Sequence, residues 1–187
     1  MFQYKEMIIF DMDGTLIDSA PSLAHALNTM LQELKAPPFK IETIREWIGN
    51  GADVLIKRAL VGELHYENHA IDNGLFQKAK KLFFAIYGAN LNAQTSLYSG
   101  VQEGLETLSK NYTLALATNK PIEFVGEMLE HFSIREYFTL YYGAGSVENK
   151  KPHPQMLLEL CKELNIQTEK SVMVGDSKND LLAASAA

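Results

Sequence analysis

Four short stretches of the 187-residue chain carry side chains suited to handling phosphate. Asp11-Met12-Asp13-Gly14-Thr15-Leu16 sets two carboxylates two residues apart and follows them with Gly-Thr. At a strand's carboxyl end such a pair suits phosphoryl transfer, because open α/β sheets bind ligands in the crevice beyond those ends. Gly14 permits the turn that brings Asp13 back over Asp11; an ordinary acidic turn is the competing reading, since Asp and Gly are common there. Thr118-Asn119 offers a hydroxyl and an amide to phosphate oxygens, or else a helix N-cap ahead of Pro121. In Lys150-Lys151-Pro152-His153-Pro154 the prolines stiffen the chain. Lys151 is then a fixed ammonium able to neutralise a phosphate and an attacking carboxylate together; a solvated loop lysine is the alternative. Val174-Gly175-Asp176-Ser177-Lys178-Asn179-Asp180 brings two more carboxylates, hard oxygen ligands that suit Mg²⁺. Asp180 alone also reads as a charge answering a helix dipole. The combination favours chemistry: carboxylates, hydroxyl, lysine and carboxylates again, each at a strand end.

Those strands are short apolar runs: Met7–Phe10, Thr113–Ala117, Phe138–Tyr142 and Ser171–Val174. Each is too short for a helix and too uniformly apolar for one wet face, which predicts parallel strands covered on both sides. Helical patterns begin near Val101, at Pro121 and at Pro154, with proline well placed in a first turn. Strand alternating with helix predicts an α/β fold with right-handed crossovers. The rhythm breaks from Ile17 to Gly88, where the periodicity is helical throughout. One stripe runs Leu23, Leu27, Met30, Leu31, Leu34; another helix holds Val54, Leu55, Lys57, Arg58 and Leu60; a third stripe holds Leu75, Ala79, Leu82, Phe83 and Ile86. Pro37-Pro38, Gly49-Asn50-Gly51 and Asn73-Gly74 punctuate them. The expected division is a core of residues 1–16 and 89–187 with a helical cap, residues 17–88, inserted after the first strand.

The net charge of −6 and the absence of a basic run argue against nucleic acid, whose phosphates require clustered Lys and Arg. A small anionic substrate stays compatible, since a few local cations outweigh the net sign. Cys161 is the single cysteine, so no intramolecular disulfide forms, and its helical context predicts burial. No apolar stretch reaches membrane-spanning length and no signal peptide precedes the first strand, so a soluble cytoplasmic protein, monomer or homodimer, is expected. His65 and His69 have i, i+4 spacing but lack the His-Glu-x-x-His pattern and a third ligand, and are read as a solvated helix face. Gly143-Ala144-Gly145 lacks the remaining glycine of a dinucleotide fingerprint and is read as a loop.

In order and spacing, the four stretches resemble the four motifs of the haloacid dehalogenase superfamily of phosphatases. Trp47-Ile48-Gly49-Asn50-Gly51-Ala52, Tyr98-Ser99-Gly100-Val101 and Asn179-Asp180 before an Ala-rich helix are most similar to its phosphoglycolate phosphatase group. The resemblance implies a Rossmann-like parallel sheet core with an inserted all-helical cap. It implies Asp11 as nucleophile, Asp13 as general acid and base, and Thr118 and Lys151 on the transferring phosphoryl oxygens. Gly14, Thr15 and Asn119 would line the substrate. Gly49, Asn50 and Gly51 would close over it from the cap, expelling water; an exposed interhelical turn is the competing reading. Mg²⁺ would be held by Asp11, the Asp13 carbonyl and Asp176, with Asp180 as ligand or just outside. The substrate would be a small phosphorylated metabolite, 2-phosphoglycolate first. The alternatives are a sugar-phosphate phosphatase or phosphomutase of the same superfamily, or a non-catalytic relic that only binds metal or phosphate. Leu181–Ala187 is a helix-forming run without a stop signal. The family usually continues to a further strand, so the C-terminal end of the core is expected to be missing and Ser171–Val174 to form a sheet edge.

Overall fold

The computed structural model describes residues 4–187, so residues 1–3 of the expected core lie outside the described residues. The chain divides into two compact units, one holding the residues up to Asp18 with Leu97–Ala187, the other Ser19–Ser96.

The first unit is built on a four-stranded sheet. Its strands are β1 (Met7–Phe10), β4 (Thr113–Pro121), β5 (Leu140–Ala144) and β6 (Ser171–Val174). Their order is β5-β4-β1-β6, and every pairing is parallel. β1 is therefore central, and its four residues are all buried. Met7 and Ile9 face the same side as Ala115 and Ala117 of β4 and meet Met156, Leu157, Leu160 and Cys161 of α7 (Gln155–Glu163) and Ala183 of α8 (Lys178–Ala186). Alternation turns Ile8 and Phe10 to the opposite face. There Phe10 meets Phe138 edge-on, with ring centroids 6.2 Å apart. The 3₁₀ turn Arg135–Tyr137 ahead of Phe138 packs with α5 (Val101–Ser109) and α6 (Ile122–His131). Helices thus cover both faces of a parallel sheet, as the apolar runs predict. A ribbon of β2 (Ile17–Asp18) and β3 (Ser96–Leu97) forms where the chain leaves this unit and returns.

The differences from the sequence reading have local causes. Phe138 is apolar because it fills the face above Phe10, not because it belongs to β5, which starts at Leu140 and runs through Ala144. β4 continues four residues past Ala117. β6 is only half-buried, and Val174 is exposed, because among the described residues β6 lies at the edge of the sheet.

The second unit is helical: α1 (Ala20–Glu33), α2 (Ile41–Trp47), α3 (Ala52–Val61) and α4 (Asn73–Ala89). α1 packs against the other three, burying Leu23, Leu27, Met30 and Leu31. α2 is absent from the periodicity reading because seven residues hold only two buried positions, Ile44 and Trp47. On α4 the buried face is Phe76, Ala79, Phe83 and Tyr87, while Leu75 is exposed. His65 and His69 are exposed, yet they sit in the irregular segment between α3 and α4, not on a helix. Among the described residues no helix is long and apolar enough to cross a membrane.

Candidate active site

The carboxyl ends of β4, β1 and β6 stand side by side, and the loops leaving them carry the acidic and hydroxyl side chains singled out in the sequence. Asp11 follows β1 directly, and its backbone N–H continues the ladder by donating to the Val174 carbonyl at 2.8 Å. The chain then turns tightly, with Leu16 and Ile17 N–H groups both returning to the Met12 carbonyl. Gly14 sits in this turn at φ 85°, and a Cβ there would lie 2.2 Å from Asp176 Oδ2. Only glycine lets the β1 turn and the β6 loop approach so closely. Across the same gap the Thr15 hydroxyl donates to Asp176 Oδ1 at 3.5 Å.

Asp11 is buried, and oxygens of Asp11, Asp176 and Asp180 all lie within 4.8 Å of one another. Between two of these carboxylates sits the Lys151 ammonium, almost wholly buried, 3.0 Å from Asp11 Oδ1 and 2.5 Å from Asp180 Oδ1. The Asp180 contact is an aligned hydrogen bond. The Asp11 contact is an ion pair without an aligned hydrogen bond to the buried Oδ1. Asp180 is further held at the start of α8, where the Ser177 N–H and hydroxyl both donate to its Oδ2 at 3.0 and 2.6 Å. This is the reach-back contact of a capping box.

Burial pushes the Asp11 carboxyl from 3.8 up to about 6, with the Lys151 charge opposing and the Asp180 charge adding. The Asp176 carboxyl is likewise raised, first by partial desolvation and then by Asp180. Three carboxylates answered by one ammonium leave the cluster two negative charges in excess. A divalent cation fits that deficit, the all-oxygen donor set suits magnesium, and Asp11 Oδ1, paired with Lys151, accepts no aligned hydrogen bond. The residues fit the metal.

Thr118, Asn119 and Lys120 lie in the stretch where β4 departs from β5. Ala117 pairs with Tyr142 and Pro121 with Ala144, so β4 advances four residues while β5 advances two. All three side chains are buried. The Thr118 hydroxyl accepts from the Lys120 N–H at 3.2 Å, and the Asn119 amide donates to the Lys151 carbonyl at 2.9 Å. Asn119 therefore holds the lysine loop, whose Lys151–Pro152 bond is cis. Lys120, which the motif reading passes over, places its ammonium 3.0 Å from Asp13 Oδ1 and 3.4 Å from Oδ2. The available signal was a lysine closing an apolar strand ahead of a proline.

Gly49, Asn50 and Gly51 belong to the helical unit, in the turn that opens α3; Gly49 and Gly51 take φ 107° and 87°. Arg58 fixes this turn. It is buried, against the solvated placement its charge suggests, and donates to the Trp47 carbonyl (2.7 Å), Asn50 Oδ1 (3.1 Å) and the Leu64 carbonyl (2.9 Å). Burial lowers its guanidinium below the ordinary value.

A buried carboxylate stands beside a lysine and an acidic pair at the carboxyl edge of a parallel sheet. A family profile described as haloacid dehalogenase-like hydrolase matches residues 8–187. The chain belongs to that family. The phosphoglycolate phosphatase of Psychrobacter arcticus is 43% identical over 180 residues, spanning 96% of this chain and 78% of that protein. The phosphoglycolate phosphatase of Colwellia psychrerythraea is 45% identical over 186 residues, 99% of this chain and 82% of that one. The crystal structure of a predicted phosphoglycolate phosphatase from Haemophilus somnus 129PT superposes with a TM-score of 0.91 at 36% identity, covering 98% of this chain and 82% of that one.

Proposed function

We propose that this chain hydrolyses a small phosphate monoester, 2-phosphoglycolate first, through an aspartyl-phosphate on Asp11. The observation that carries the reading is the buried Asp11 carboxylate, 3.0 Å from the Lys151 ammonium and within 4.8 Å of Asp176 and Asp180. The substrate follows the names of the two curated relatives, both called phosphoglycolate phosphatase.

In the first half, an Asp11 carboxylate oxygen attacks phosphorus while the bond from phosphorus to the ester oxygen breaks. Asp13, as the acid, delivers its proton to the departing alkoxide. In the second half, Asp13 takes a proton from water as that oxygen attacks phosphorus. The bond to Asp11 breaks, inorganic phosphate forms, and Asp11 returns as carboxylate. Lys151, held by Asp180, and the Thr118 hydroxyl stabilise the charge that gathers on the transferring oxygens, usually the largest catalytic contribution. Asn119 keeps Lys151 in place through its carbonyl, and Gly14 and Thr15 shape the turn around the phosphate. A magnesium ion held by Asp11, the Asp13 carbonyl and Asp176, with Asp180 beside them, would supply the charge that lets carboxylate and phosphate approach one another. The Ser19–Ser96 unit is assigned as the cap, and its Gly49-Asn50-Gly51 turn as an element of substrate choice, supported by the Arg58 contacts that hold the turn in one shape.

The test is phosphate release from a panel of small esters, including 2-phosphoglycolate and several sugar phosphates, with Mg²⁺ or with EDTA. Metal-dependent release led by 2-phosphoglycolate is expected. Release led by another ester would keep the mechanism and replace the substrate; no release from folded protein would leave a binding relic.

A further inference from the structure

We infer that Lys120 is a positioning residue for Asp13, holding the carboxyl group that must serve both halves of the reaction; the inference rests on the acid–base reading of Asp13. Three features of the fold converge on this pair. β4 gains two residues against β5 between Ala117 and Pro121, an irregularity that re-aims side chains near sites. β5 runs close against the backbone there: a Cβ on Gly143 would lie 2.7 Å from the Lys120 carbonyl and 2.8 Å from the Ile122 Cα, so a glycine is what allows the crossing. The Lys120 ammonium emerges from this fixed backbone with its side chain 2% exposed and reaches both oxygens of Asp13, at 3.0 and 3.4 Å.

The pairing matters because of where Asp13 sits. Its side chain is 14% exposed, the least enclosed of the carboxylates on the β1 turn, and it hangs from a tight turn two residues beyond Asp11. A short carboxylate at a partly wet edge has alternative rotamers, and proton transfer requires one of them within hydrogen-bond reach of the ester oxygen and then of water. A buried ammonium contacting both oxygens selects one orientation and keeps it between the two steps. Lys151 contacts Asp11 instead, so the two lysines divide the site, one on the attacking carboxylate and one on the proton carrier.

The experiment uses Lys120→Met and Lys120→Gln, with Asp13→Asn as reference and thermal melts to establish folding. Because Asp13 is partly exposed, removing Lys120 does not strand a fully buried charge, and methionine refills the space. With 2-phosphoglycolate, kcat is expected to fall roughly 10- to 100-fold, at the lower end of what general acid–base catalysis contributes, with KM within twofold. With 4-nitrophenyl phosphate, whose phenolate leaves without a proton, the first turnover is expected to survive. It appears as a burst of nitrophenolate equal to the enzyme, followed by slow release of phosphate. On the Asp13→Asn background, Lys120→Met is expected to add no further loss. Equal losses in burst and steady state would make Lys120 merely structural, and a KM rise confined to 2-phosphoglycolate would make it a substrate contact; either overturns the inference. Full turnover in Asp13→Asn would overturn the acid–base reading and this inference with it, whereas an inactive Asp13→Asn with either of the former outcomes overturns the inference alone. If neither lysine variant folds, a fold-supporting role replaces the positioning one.

Discussion

Asp11→Asn is expected to make the metal-free protein more stable as pH rises, and the size of the effect follows from burial. Burial raises the Asp11 carboxyl from 3.8 to about 6. The folded state therefore binds this proton more tightly than the unfolded chain does, so stability is greatest below the unfolded value and is lost as pH climbs through about 6. At ~1.4 kcal/mol per unit, ionised Asp11 costs the fold ~3 kcal/mol above that range. Roughly half of this cost is already present at pH 5, and about the same again accrues by pH 7.5. Asparagine keeps the size and cannot titrate. Its loss of the Lys151 contact offsets the two curves, but the slope between them belongs to Asp11. For a chain of this length a difference of about 1–2 kcal/mol corresponds to a few degrees, so melts in EDTA at pH 5.0 and 7.5 should show the variant gaining that much on the wild type. Parallel curves across this window would show that the folded protein does not desolvate Asp11, and the excess-charge argument for the metal would fall with it.

Added Mg²⁺ should reverse that cost: at a hundredfold excess over Kd the wild type gains ~2.7 kcal/mol, and Asp176→Asn should lose most of the gain in the same melts. Gly14→Ala puts a Cβ 2.2 Å from Asp176 Oδ2 at φ 85° and should lower stability by ~1–3 kcal/mol while weakening the Mg²⁺-dependent shift; an unchanged shift would mean the loop relaxes freely. Arg58→Met removes donors from the Trp47 and Leu64 carbonyls and should cost ~2–3 kcal/mol in urea denaturation, with Arg58→Lys recovering little, since an ammonium lacks the planar fork.

How much of this was legible in the sequence depended on whether a signal was local. β1 and β6 were readable to the residue, because β1 is a four-residue apolar run between Glu6 and Asp11, and β6 is an apolar Val-Met-Val run led by Ser171 and closed by Gly175. Phe138 misled because an apolar side chain facing a sheet looks the same in sequence whether it stands in a strand or in the loop before one. The end of β4 was hidden for a related reason: Thr118, Asn119 and Lys120 are polar and suggest a loop, whereas they remain in the strand and are buried by what lies over them. Asp11, Asp176, Asp180 and Lys151 announced themselves by type and spacing. Lys120 and Arg58 did not, because neither partner set leaves a mark in the sequence: Asp13 lies 107 positions from Lys120, and Arg58 binds nearby carbonyls, which every residue has.

Those separations also govern when the site comes into being. Thr15 and Asp176 meet across 161 positions, and Lys151 and Asp180 across 29. The acidic cluster requires β6 to dock beside β1, a parallel pairing between distant segments, which is the slowest kind to form. The helical unit, by contrast, is one uninterrupted stretch of chain and can order locally. During refolding the far-ultraviolet helix signal should thus return well ahead of phosphate-releasing activity, and a chain arrested between the two would be ordered but inert. Catalytic competence in this fold is an event of sheet assembly, and its appearance can serve as a clock for the docking of β6 beside β1.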